Sequence, residues 1–474
     1  MNPHDLIGEG DSYLNRLWIL KKPGKTSAVS AIISASQGIG GVNQVPSLSD
    51  RGLGRGIDLG VGIKGMSEAR GRHTRILHCD GKKFTFAQPI SRLYNLQMCS
   101  DVLMKAVVVG GGIIGTMHAL FALEAGHEVV HIERDSRPLS ASVRNFGLVW
   151  VSGRAAGPEL AIALRARTLW EEIGAKAEIG FRAQHSLTIA QNDAEFDVMI
   201  AAATMDDAHE RGFRLLDRNQ VQTLEPVLQG KFVGALQCTQ DGAVEPSLLL
   251  SGLRDYLAKH PGYTWKPNFE VVDFYHDETG NHVTNVDGEK ISGDLLAICP
   301  GSAHQGFIGE FLADAPLRRV HLQMGATVPF GATLNHSIAD ADSMRYYPAF
   351  KDLALDTMPP QEEIAAQYKM QLLLVPRLDR TFTIGDTHEY EEPFSHEILE
   401  APYDHLRKVI SGIFGAPAPT IARRWSGNYS QITSSDLYYR KEIAPGAVVV
   451  TGGGGRGNTI SPAIAEETIN SWPK

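Results

Sequence analysis

The sequence contains few cysteines, and their positions exclude several kinds of site. Its four cysteines are Cys79, Cys99, Cys238 and Cys299, and no two of them form a CxxC pair or another metal-ligand spacing. A zinc site built on thiolates and the dithiol of a disulfide reductase are therefore not expected, and we expect no bound metal. Sparse, unpaired cysteines are typical of a reducing compartment, so we expect a cytoplasmic protein.

The chain also lacks an excess of basic charge, a secretory leader and a convincing membrane span. Its formal net charge is -9, which argues against a nucleic-acid partner because phosphate backbones attract basic surfaces. Residues 1–12 are acidic, and no apolar leader segment follows them. The longest apolar run, 106–123, has the length of a membrane span. It contains four glycines, so we interpret it as a strand, a turn and a helix.

The remaining composition is that of an ordinary globular protein. Of the 474 residues, 43% are hydrophobic and 21% are charged, and this length predicts two or three domains. Residues 1–103 differ from the rest because glycine-rich and serine-rich stretches alternate there with poor apolar periodicity. We expect them to be a poorly ordered, dispensable extension, translated from an early start codon upstream of Met104. The alternative is a targeting or partner-binding arm.

From Lys105 onward the apolar pattern predicts regular elements. Strands are predicted at 105–109, 128–133, 186–190, 263–274, 282–286, 294–299, 317–329, 372–375, 381–384 and 447–450. Helices are predicted at 113–125, 159–173, 247–259 and 462–472.

One GxGxxG match has the full context of a dinucleotide-binding turn. A β-branched strand leads into Gly110, Gly112 and Gly115, and Glu133 ends a second strand about 20 residues further on. Gly110 permits the tight turn, Gly112 lets the backbone approach a pyrophosphate, and Gly115 lets the helix pack against the strand. The pyrophosphate would lie at the helix N-terminus, where free N–H groups favour negative charge. Glu133 would accept hydrogen bonds from ribose hydroxyls and disfavour NADP.

The other two matches have weaker context. The match at 60–65 follows no buried strand, and we expect no nucleotide there. The match at 452–457 follows the strand 447–450, but only 17 residues remain after it, too few for a second βαβ unit. We interpret this segment as a loop whose backbone approaches a flat cofactor ring closely. A helix starting near Ser461 and Pro462 would then direct its N-terminus towards negative charge on that ring.

Five motifs occur in a fixed order along the chain. They are VVVGGGIIG at 107–115 with Glu133-Arg134 after it, SASVRNFG at 140–147, DGAVEP at 241–246, LAICPG at 296–301 and GGGRGNTISPAI at 453–464. In this order they resemble the D-amino-acid oxidase-like FAD oxidoreductases, a family that includes glycine oxidase and sarcosine oxidase. The resemblance covers about residues 104–474.

The resemblance implies an α/β fold with a Rossmann-like FAD-binding domain and an inserted α+β substrate domain built on an antiparallel sheet. We expect the FAD-binding domain at 104–185, 241–305 and 430–474, and the substrate domain at 186–240 and 306–429. Some family members attach the flavin to a cysteine near the C-terminal loop. No cysteine lies there in this chain, so we expect non-covalent FAD. The implied FAD-binding residues are Gly110, Gly112, Ile113, Ile114, Gly115, Glu133, Arg134, Ser142, Arg144, Asn145, Phe146, Gly147, Val271, Pro300, Gly301, Gly455, Arg456, Gly457, Asn458 and Thr459.

The reaction implied by the family is oxidation of an amine. A hydride passes from the carbon beside the nitrogen to flavin N5, the imine is hydrolysed, and oxygen or another acceptor reoxidises the flavin. The site then needs cations for an anionic substrate group and a means of keeping the amine neutral. Arginine forks suit carboxylate or phosphonate oxygens, and His388 could deprotonate the amine or contact the anion. The candidate arginines are Arg144, Arg345, Arg423, Arg424 and Arg456, and the candidate neighbours are Tyr346, Tyr347, Tyr429 and Gln431.

Each of these assignments has a plainer alternative. An arginine can form a surface ion pair, a histidine can cap a turn, and tyrosines are more often core than pocket walls. Three further segments, VRNFGLVW at 143–150, RYYP at 345–348 and GDTHEY at 385–390, are similar to a subgroup linked to aminophosphonate breakdown. That similarity implies a substrate such as an N-methylated 2-aminoethylphosphonate.

Other functions remain open from the sequence. The wider family implies oxidation of D-amino acids, glycine or sarcosine. A NAD-dependent dehydrogenase would use the same fingerprint but would leave the C-terminal glycine loop unexplained. A non-catalytic flavoprotein or tRNA-modifying subunit fits poorly with the acidic charge balance.

Overall fold

The computed structural model describes residues 75–79, 82–86, 104–395 and 397–472. The chain divides into two units, Met1–Val102 and Leu103–Lys474. In the first, β1 (Arg75–Cys79) and β2 (Lys82–Phe86) pair as an antiparallel hairpin. The expected disorder of residues 1–103 otherwise lies outside the described residues. The glycine match at 60–65 lies outside them too.

The second unit contains both strands and helices. Its strands are β3 (Lys105–Val109), β4 (Glu128–Ile132), β5 (Leu148–Val149), β6 (Ser186–Ala190), β7 (Phe213–Asp217), β8 (Gly234–Cys238), β9 (Gly242–Ala243), β10 (Tyr263–Lys266), β11 (Val271–Asp277), β12 (Gly280–Asn285), β13 (Lys290–Gly293), β14 (Leu295–Ile298), β15 (Leu317–Thr327), β16 (Ser337–Asp340), β17 (Leu373–Pro376), β18 (Phe382–Gly385), β19 (Ile421–Ile432), β20 (Tyr439–Ala444) and β21 (Ala447–Thr451). Its helices are α1 (Ile113–Glu124), α2 (Pro158–Gly174), α3 (Asp193–Ala203), α4 (Ala208–Arg211), α5 (Arg218–Leu224), α6 (Pro246–Leu257), α7 (Phe307–Leu312), α8 (Asp342–Tyr346), α9 (Glu363–Gln367), α10 (Glu400–Phe414) and α11 (Gly457–Asn470).

A six-stranded sheet forms the centre of one half of this unit. Its order is β10-β4-β3-β14-β21-β20, and every neighbouring pair is parallel except β21 with β20. Alternate side chains of its strands enter two different cores, as the pleat requires. Val108 and Val450 pack in the core that includes α1, α2, α6 and α11. Val107 and Val449 pack on the opposite face with β11, β12 and α7. This is the three-layer arrangement expected of a Rossmann-like domain.

An eight-stranded sheet forms the other half, in the order β19-β15-β18-β17-β16-β6-β8-β7. Its pairs are antiparallel except β16 with β6. Helices α5, α9 and α10 contribute to the apolar core of one face, and α3 and α8 contribute to a second core. The expected fold class, a Rossmann-like domain with an inserted α+β domain, is confirmed.

The strands of the six-stranded sheet lie within residues 105–132, 263–298 and 439–451, and those of the eight-stranded sheet lie within residues 186–238, 317–385 and 421–432. β19 ends at Ile432, so the expected boundary between residues 429 and 430 falls inside a strand. Within the described residues, none of the helices is long and apolar enough to cross a bilayer. The same residues contain no group of three or more histidine, cysteine or acidic side chains suited to a metal ion.

Two predicted elements are wrong in their limits. The single strand predicted at 263–274 is two strands, because Pro267 offers no N–H and Asn268 has a φ of 55°. β10 joins the six-stranded sheet, and β11 joins the three-stranded sheet β11-β12-β13. The closing helix begins at Gly457, so Pro462 lies inside it. Proline cannot donate to the Asn458 carbonyl, and the Ser461 hydroxyl donates to that oxygen at 3.0 Å instead.

Candidate functional site

The turn between β3 and α1 leaves no room for side chains at two glycines. Gly110 has a φ of 111°, and a β-carbon built on it would lie 2.3 Å from the carbonyl oxygen of Cys299. A β-carbon on Gly115 would lie 1.9 Å from the carbonyl oxygen of Gly110. The backbone of helix α1 therefore approaches the turn closely, as the fingerprint predicts.

Side chains organise the N-H groups at the start of α1. The N–H of Gly111 donates to Oε2 of Glu133 at 2.8 Å, and the N–H of Asp135 donates to Oε1 at 3.1 Å. The N–H of Ile113 donates to Oγ of Ser142 at 2.9 Å. Each carboxylate oxygen can accept more than one hydrogen bond, so Glu133 retains acceptor capacity for ribose hydroxyls.

His131, which the sequence analysis did not select, supports this turn from β4. Its Nε2 lies 3.0 Å from the carbonyl oxygen of Gly110, and its Nδ1 lies 3.0 Å from the hydroxyl of Tyr263. Burial lowers the pKa of His131 to about 4, so the ring is neutral at pH 7. The neutral ring donates from Nε2 and accepts at Nδ1, which fixes the position of the glycine turn.

A cavity of about 420 Å³ runs from the start of α1 to the eight-stranded sheet. Of the residues expected to bind FAD, twelve line it: Ile113, Ile114, Ser142, Arg144, Asn145, Phe146, Gly301, Gly455, Arg456, Gly457, Asn458 and Thr459. The other eight do not line it: Gly110, Gly112, Gly115, Glu133, Arg134, Gly147, Val271 and Pro300. Gly110, Gly112, Gly115 and Glu133 lie in or beside the β3–α1 turn, and Arg134 is exposed beside Asp135. The C-terminal glycine loop and the N-terminus of α11 therefore form part of one cavity with the start of α1.

Several buried polar atoms of the cavity wall have no hydrogen-bond partner in the described part of the chain. They include Trp150 Nε1, Gln371 Oε1, Asp386 Oδ1, Asn428 Oδ1 and Asn458 Oδ1. Buried polar groups without partners are costly and uncommon in native proteins. The wall is thus built for a polar occupant, and with the glycine turn and Glu133 these donors and acceptors fit a flavin dinucleotide and a polar substrate.

Three arginines give one part of the cavity wall a positive charge. Arg154 and Arg456 share the carboxylate of Glu159, with Nη1 to Oε1 distances of 3.5 and 3.0 Å. Burial lowers the pKa of Arg456, and the carboxylate of Glu159 opposes this shift. Arg318 donates to Gln431 at 2.8 Å and lies 3.9 Å from the ring centre of Tyr390. Three guanidinium groups against one carboxylate leave this wall net positive.

Several arginines expected at the anion lie elsewhere. Arg345 pairs with Asp342 at 3.1 Å and donates to the carbonyls of Leu355 and Pro359 at 2.9 and 2.6 Å. Arg424 donates to Glu400 at 2.9 Å and lies over Tyr403. Neither these two nor Arg423 lines the cavity. Arg144 does line it, but its guanidinium is exposed and donates to the Ser426 carbonyl.

Aromatic side chains and a buried acid also line the cavity. Tyr346, Tyr347, Tyr429 and His388, all expected from the sequence, meet there, and the rings of Tyr346 and His388 stack at 4.4 Å. Asp386 Oδ2 lies 3.7 Å from His388 Nε2. Burial raises the pKa of Asp386, and His388 opposes the shift.

Sequence reasoning missed Asp386, Arg154, Arg318 and Glu159. Asp386 lies in the GDTHEY segment, directly after a predicted strand, and that position was its available signal. Arg154, Arg318 and Glu159 carry no local motif, because only the fold brings them to the cavity.

The model of one protein family matches most of this chain. The family is described as FAD dependent oxidoreductase (DAO), and its model matches residues 105–470. Two curated relatives are the opine oxidase subunits B of Rhizobium meliloti and Agrobacterium tumefaciens (strain Ach5). The first is 27% identical over 183 residues, which are 35% of this chain and 47% of that protein. The second is 25% identical over 228 residues, or 45% and 60% of the two proteins. The match thus spans about half the length of these relatives.

Solved structures share the fold over nearly their whole length. Glycine oxidase from Bacillus cereus ATCC 14579 superimposes with a TM-score of 0.64 at 20% identity, over 77% of this chain and 94% of that one. Glycine oxidase from Geobacillus kaustophilus gives 0.62 at 18% identity, over 78% and 95%. Iminodiacetate oxidase from Chelativorans sp. BNC1 gives 0.61 at 17% identity, over 78% and 96%.

Proposed function

Because the chain belongs to the FAD-dependent oxidoreductase family, we propose that it oxidises a small amine that carries an anionic group. One observation carries this proposal: a single cavity contains both a net-positive arginine wall and a buried carboxylate among aromatic rings. A substrate with an anion at one end and an amine at the other matches both parts. A neutral amine would leave the net positive charge of the arginine wall uncompensated.

The chain's residues bind and orient the substrate in this proposal. Bound FAD supplies a two-electron acceptor for the hydride on the carbon beside the nitrogen. Arg154, Arg318 and Arg456 hold the anionic group, and Glu159 keeps two of these arginines in place. Tyr346 and Tyr347 cover the amine end and exclude water. Holding the reacting groups in one geometry is worth about 7–11 kcal/mol in favourable systems.

The substrate that we propose in particular is an N-methylated 2-aminoethylphosphonate. Two observations support it beyond the motifs named above. A phosphonate carries more negative charge than a carboxylate, and three guanidinium groups can share it. Tyr346 and Tyr347 of RYYP and Asp386 and His388 of GDTHEY line the same cavity. Arg345, the first residue of RYYP, plays no part in this version of the proposal.

A panel of amines tests the proposal. The protein with bound FAD is mixed without oxygen with N-methyl-2-aminoethylphosphonate, 2-aminoethylphosphonate, sarcosine, glycine, D-alanine, iminodiacetate and N-methylpropylamine. Loss of the flavin's blue absorbance measures the rate. We expect the phosphonates to react fastest and the neutral N-methylpropylamine slowest. A preference for the neutral amine contradicts the proposal.

The second candidate is oxidation of glycine, sarcosine, a D-amino acid or a secondary amine with two carboxylates. The names of the relatives and the fold neighbours favour it, since they include opine, glycine and iminodiacetate oxidases. A preference for sarcosine or iminodiacetate in the same panel would select it. Oxygen consumption, compared with reduction of an artificial dye, then shows which kind of acceptor reoxidises the flavin.

A further inference from the structure

The arginine wall does not explain the buried carboxylate of Asp386. This residue follows β18, is 6% exposed and lines the cavity. Its Oδ1 accepts no hydrogen bond in the described part of the chain. The side chain of Gln371 stabilises the charged carboxylate, but a buried carboxylate oxygen without a donor is costly. A donor from the occupant of the cavity would account for this free Oδ1.

His388 gives Asp386 a neighbour that can share a proton. The Nδ1 of His388 lies 3.1 Å from the carbonyl oxygen of Lys369, so this nitrogen carries the proton of the neutral ring. The lone pair of Nε2 then faces Asp386 Oδ2 at 3.7 Å. Nε2 is therefore the ring atom that can exchange a proton with the Asp386 carboxylate.

The other groups around Asp386 are uncharged at neutral pH. They come from the strand β19, from α8 and the turn after it, and from the segments before β17 and after β18. Burial raises the pKa of each tyrosine among them. They are Tyr346, Tyr347, Gln371, Tyr390 and Tyr429. The arginines of the cavity are held by other partners, Arg456 by Glu159 and Arg318 by Gln431.

We propose that Asp386 binds the ammonium group of the substrate and, together with His388, takes up the proton that the amine loses before oxidation. This proposal rests on the proposed function and deepens it. In the step, an N–H bond of the ammonium breaks, its electron pair stays on nitrogen, and the proton moves to Asp386 Oδ1. No electrons leave the substrate at this stage. The neutral amine then has the lone pair that loss of hydride from the neighbouring carbon requires.

Binding of an amine that cannot be oxidised tests this step without turnover. 2-Amino-2-methylpropylphosphonate has no hydrogen on the carbon that bears its nitrogen, and neopentylphosphonate has a methyl group in place of the amino group. Calorimetry on the FAD-loaded protein measures both affinities. We expect Asp386→Asn to weaken binding of the amine about ten- to a hundredfold, the range of a charge-assisted hydrogen bond. Binding of neopentylphosphonate stays within about twofold of the wild type.

The same calorimetry is carried out on a second Asp386 variant, Asp386→Ala, and on a control variant, Glu391→Gln. The alanine variant removes the carboxylate without an amide, in case asparagine alters the loop or the flavin content. Glu391 is an exposed acid five residues further along, so Glu391→Gln serves as the matched control and binds both compounds like the wild type. Flavin absorbance of every variant is measured first.

The pH dependence of kcat/KM separates a proton acceptor from a structural residue. The wild type accepts the ammonium form, so its kcat/KM changes little between pH 7 and the pKa of the amine. Asp386→Asn reacts only with the free amine, whose fraction in solution rises about tenfold per pH unit below the pKa of the amine. Its kcat/KM therefore rises by the same factor in that range.

Three results overturn the proposal. They are equal affinity of the wild type for the two phosphonates, unchanged binding of the amine by both Asp386 variants, and equal losses for both compounds. Failure of the proposed function gives a different result, because no amine of the panel is then oxidised. The calorimetric comparison still measures whether Asp386 binds the ammonium group.

Discussion

Arg345 and Arg456 carry the same charge, but the atoms around their guanidinium groups differ. Arg345 satisfies its N–H groups with Asp342 and two backbone carbonyls and does not line the cavity. Arg456 has Glu159 as its ion-pair partner and faces the cavity. Both were candidates for binding the substrate anion, and residue type alone could not separate them. Only the tertiary structure shows that Arg345 stabilises the fold, whereas Arg456 lies in the proposed site.

Arg456→Met should weaken catalysis on an anionic amine. If the guanidinium donates two charge-assisted hydrogen bonds of roughly 1.5–3 kcal/mol each, its loss lowers kcat/KM by about a hundredfold or more. Arg456→Lys keeps the positive charge but lacks the guanidinium fork. Its kcat/KM should lie between the values for the wild type and Arg456→Met. Steady-state kinetics on the best substrate of the panel, corrected for flavin content, makes the comparison.

Arg345→Met is the matched control. It should lower the free energy of unfolding by about 1–3 kcal/mol, because two carbonyls and Asp342 lose their donor. The kcat/KM of the folded, flavin-loaded fraction should stay within about twofold of the wild type. A kinetic collapse in this variant, with normal stability and flavin content, would restore Arg345 as the anion ligand.

We predict that FAD is bound without a covalent bond. Of the cysteines in the described residues, Cys238 and Cys299 are buried, and neither lines the cavity. Burial also raises the pKa of the Cys299 thiol, which keeps it unreactive. Acid precipitation should release the yellow colour into the supernatant. Colour that stays in the protein pellet would contradict the prediction.

At the scale of elements, the sequence predicted a strand or helix correctly where the local residue pattern alone is sufficient. The strand, turn and helix around Gly110 were predicted because β-branched residues, glycines and small apolar residues follow one another there. β19 was missed because its apolar residues do not alternate regularly with polar ones: Arg423 and Arg424 are adjacent, and SGN follows Trp425. Its strand conformation depends on eleven paired positions with β15. Helix α10 was also missed, although Tyr403, Leu406, Ile410 and Ile413 are buried at helical spacing.

The limits of α11 and the cavity contacts could not come from local pattern. Proline usually marks the start of a helix, but α11 begins at Gly457, before Pro462, because the helix packs against α1 and α2. The contacts among the predicted substrate residues could not be predicted locally either, because Tyr346, His388 and Tyr429 come from three separate parts of the chain. Their meeting depends on the order of strands in the eight-stranded sheet.

Gly115→Ala should prevent normal packing of α1 against the turn. The new methyl group would lie 1.9 Å from the Gly110 carbonyl oxygen, and backbone cannot give way cheaply. We expect flavin occupancy to fall at least tenfold, measured by absorbance after gel filtration. Gly331→Ala is the control, because a β-carbon on Gly331 meets no atom within 4 Å. Normal occupancy in Gly115→Ala would show that the helix can shift without loss of the site.

For the molecule as a whole, two buried histidines link stability to pH. Burial lowers the pKa of both His118 and His131 to about 4, against about 6.5 in an unfolded chain. Between these values the unfolded state binds more protons, so the free energy of unfolding decreases as pH falls from about 6.5 to 4. The effect is on the order of 3 kcal/mol for each ring. Buried carboxyls with raised pKa values, such as Asp241 and Asp386, act in the opposite direction.

His131→Gln isolates one of these contributions. Glutamine can still donate to the Gly110 carbonyl but does not titrate, so the difference in unfolding free energy between variant and wild type should change by up to about 3 kcal/mol between pH 7.5 and pH 4.5. Urea unfolding at several pH values, with a constant excess of FAD, measures it. Parallel curves for the two proteins would mean that His131 is not neutral in the fold.

The strand order of the six-stranded sheet has a consequence for biosynthesis. β14 pairs with β3 on one edge and with β21 on the other, and β21 is followed directly by the glycine loop and α11. On the ribosome, a nascent chain can therefore assemble β3, β4, β10 and β14 early, but one edge of β14 stays unpaired until translation has passed Thr451. We therefore expect flavin to bind only after β21 and the glycine loop have been synthesised. A product of premature termination before β21 would present a bare strand edge, a feature that promotes aggregation and degradation, and would not persist as a partly active flavoprotein.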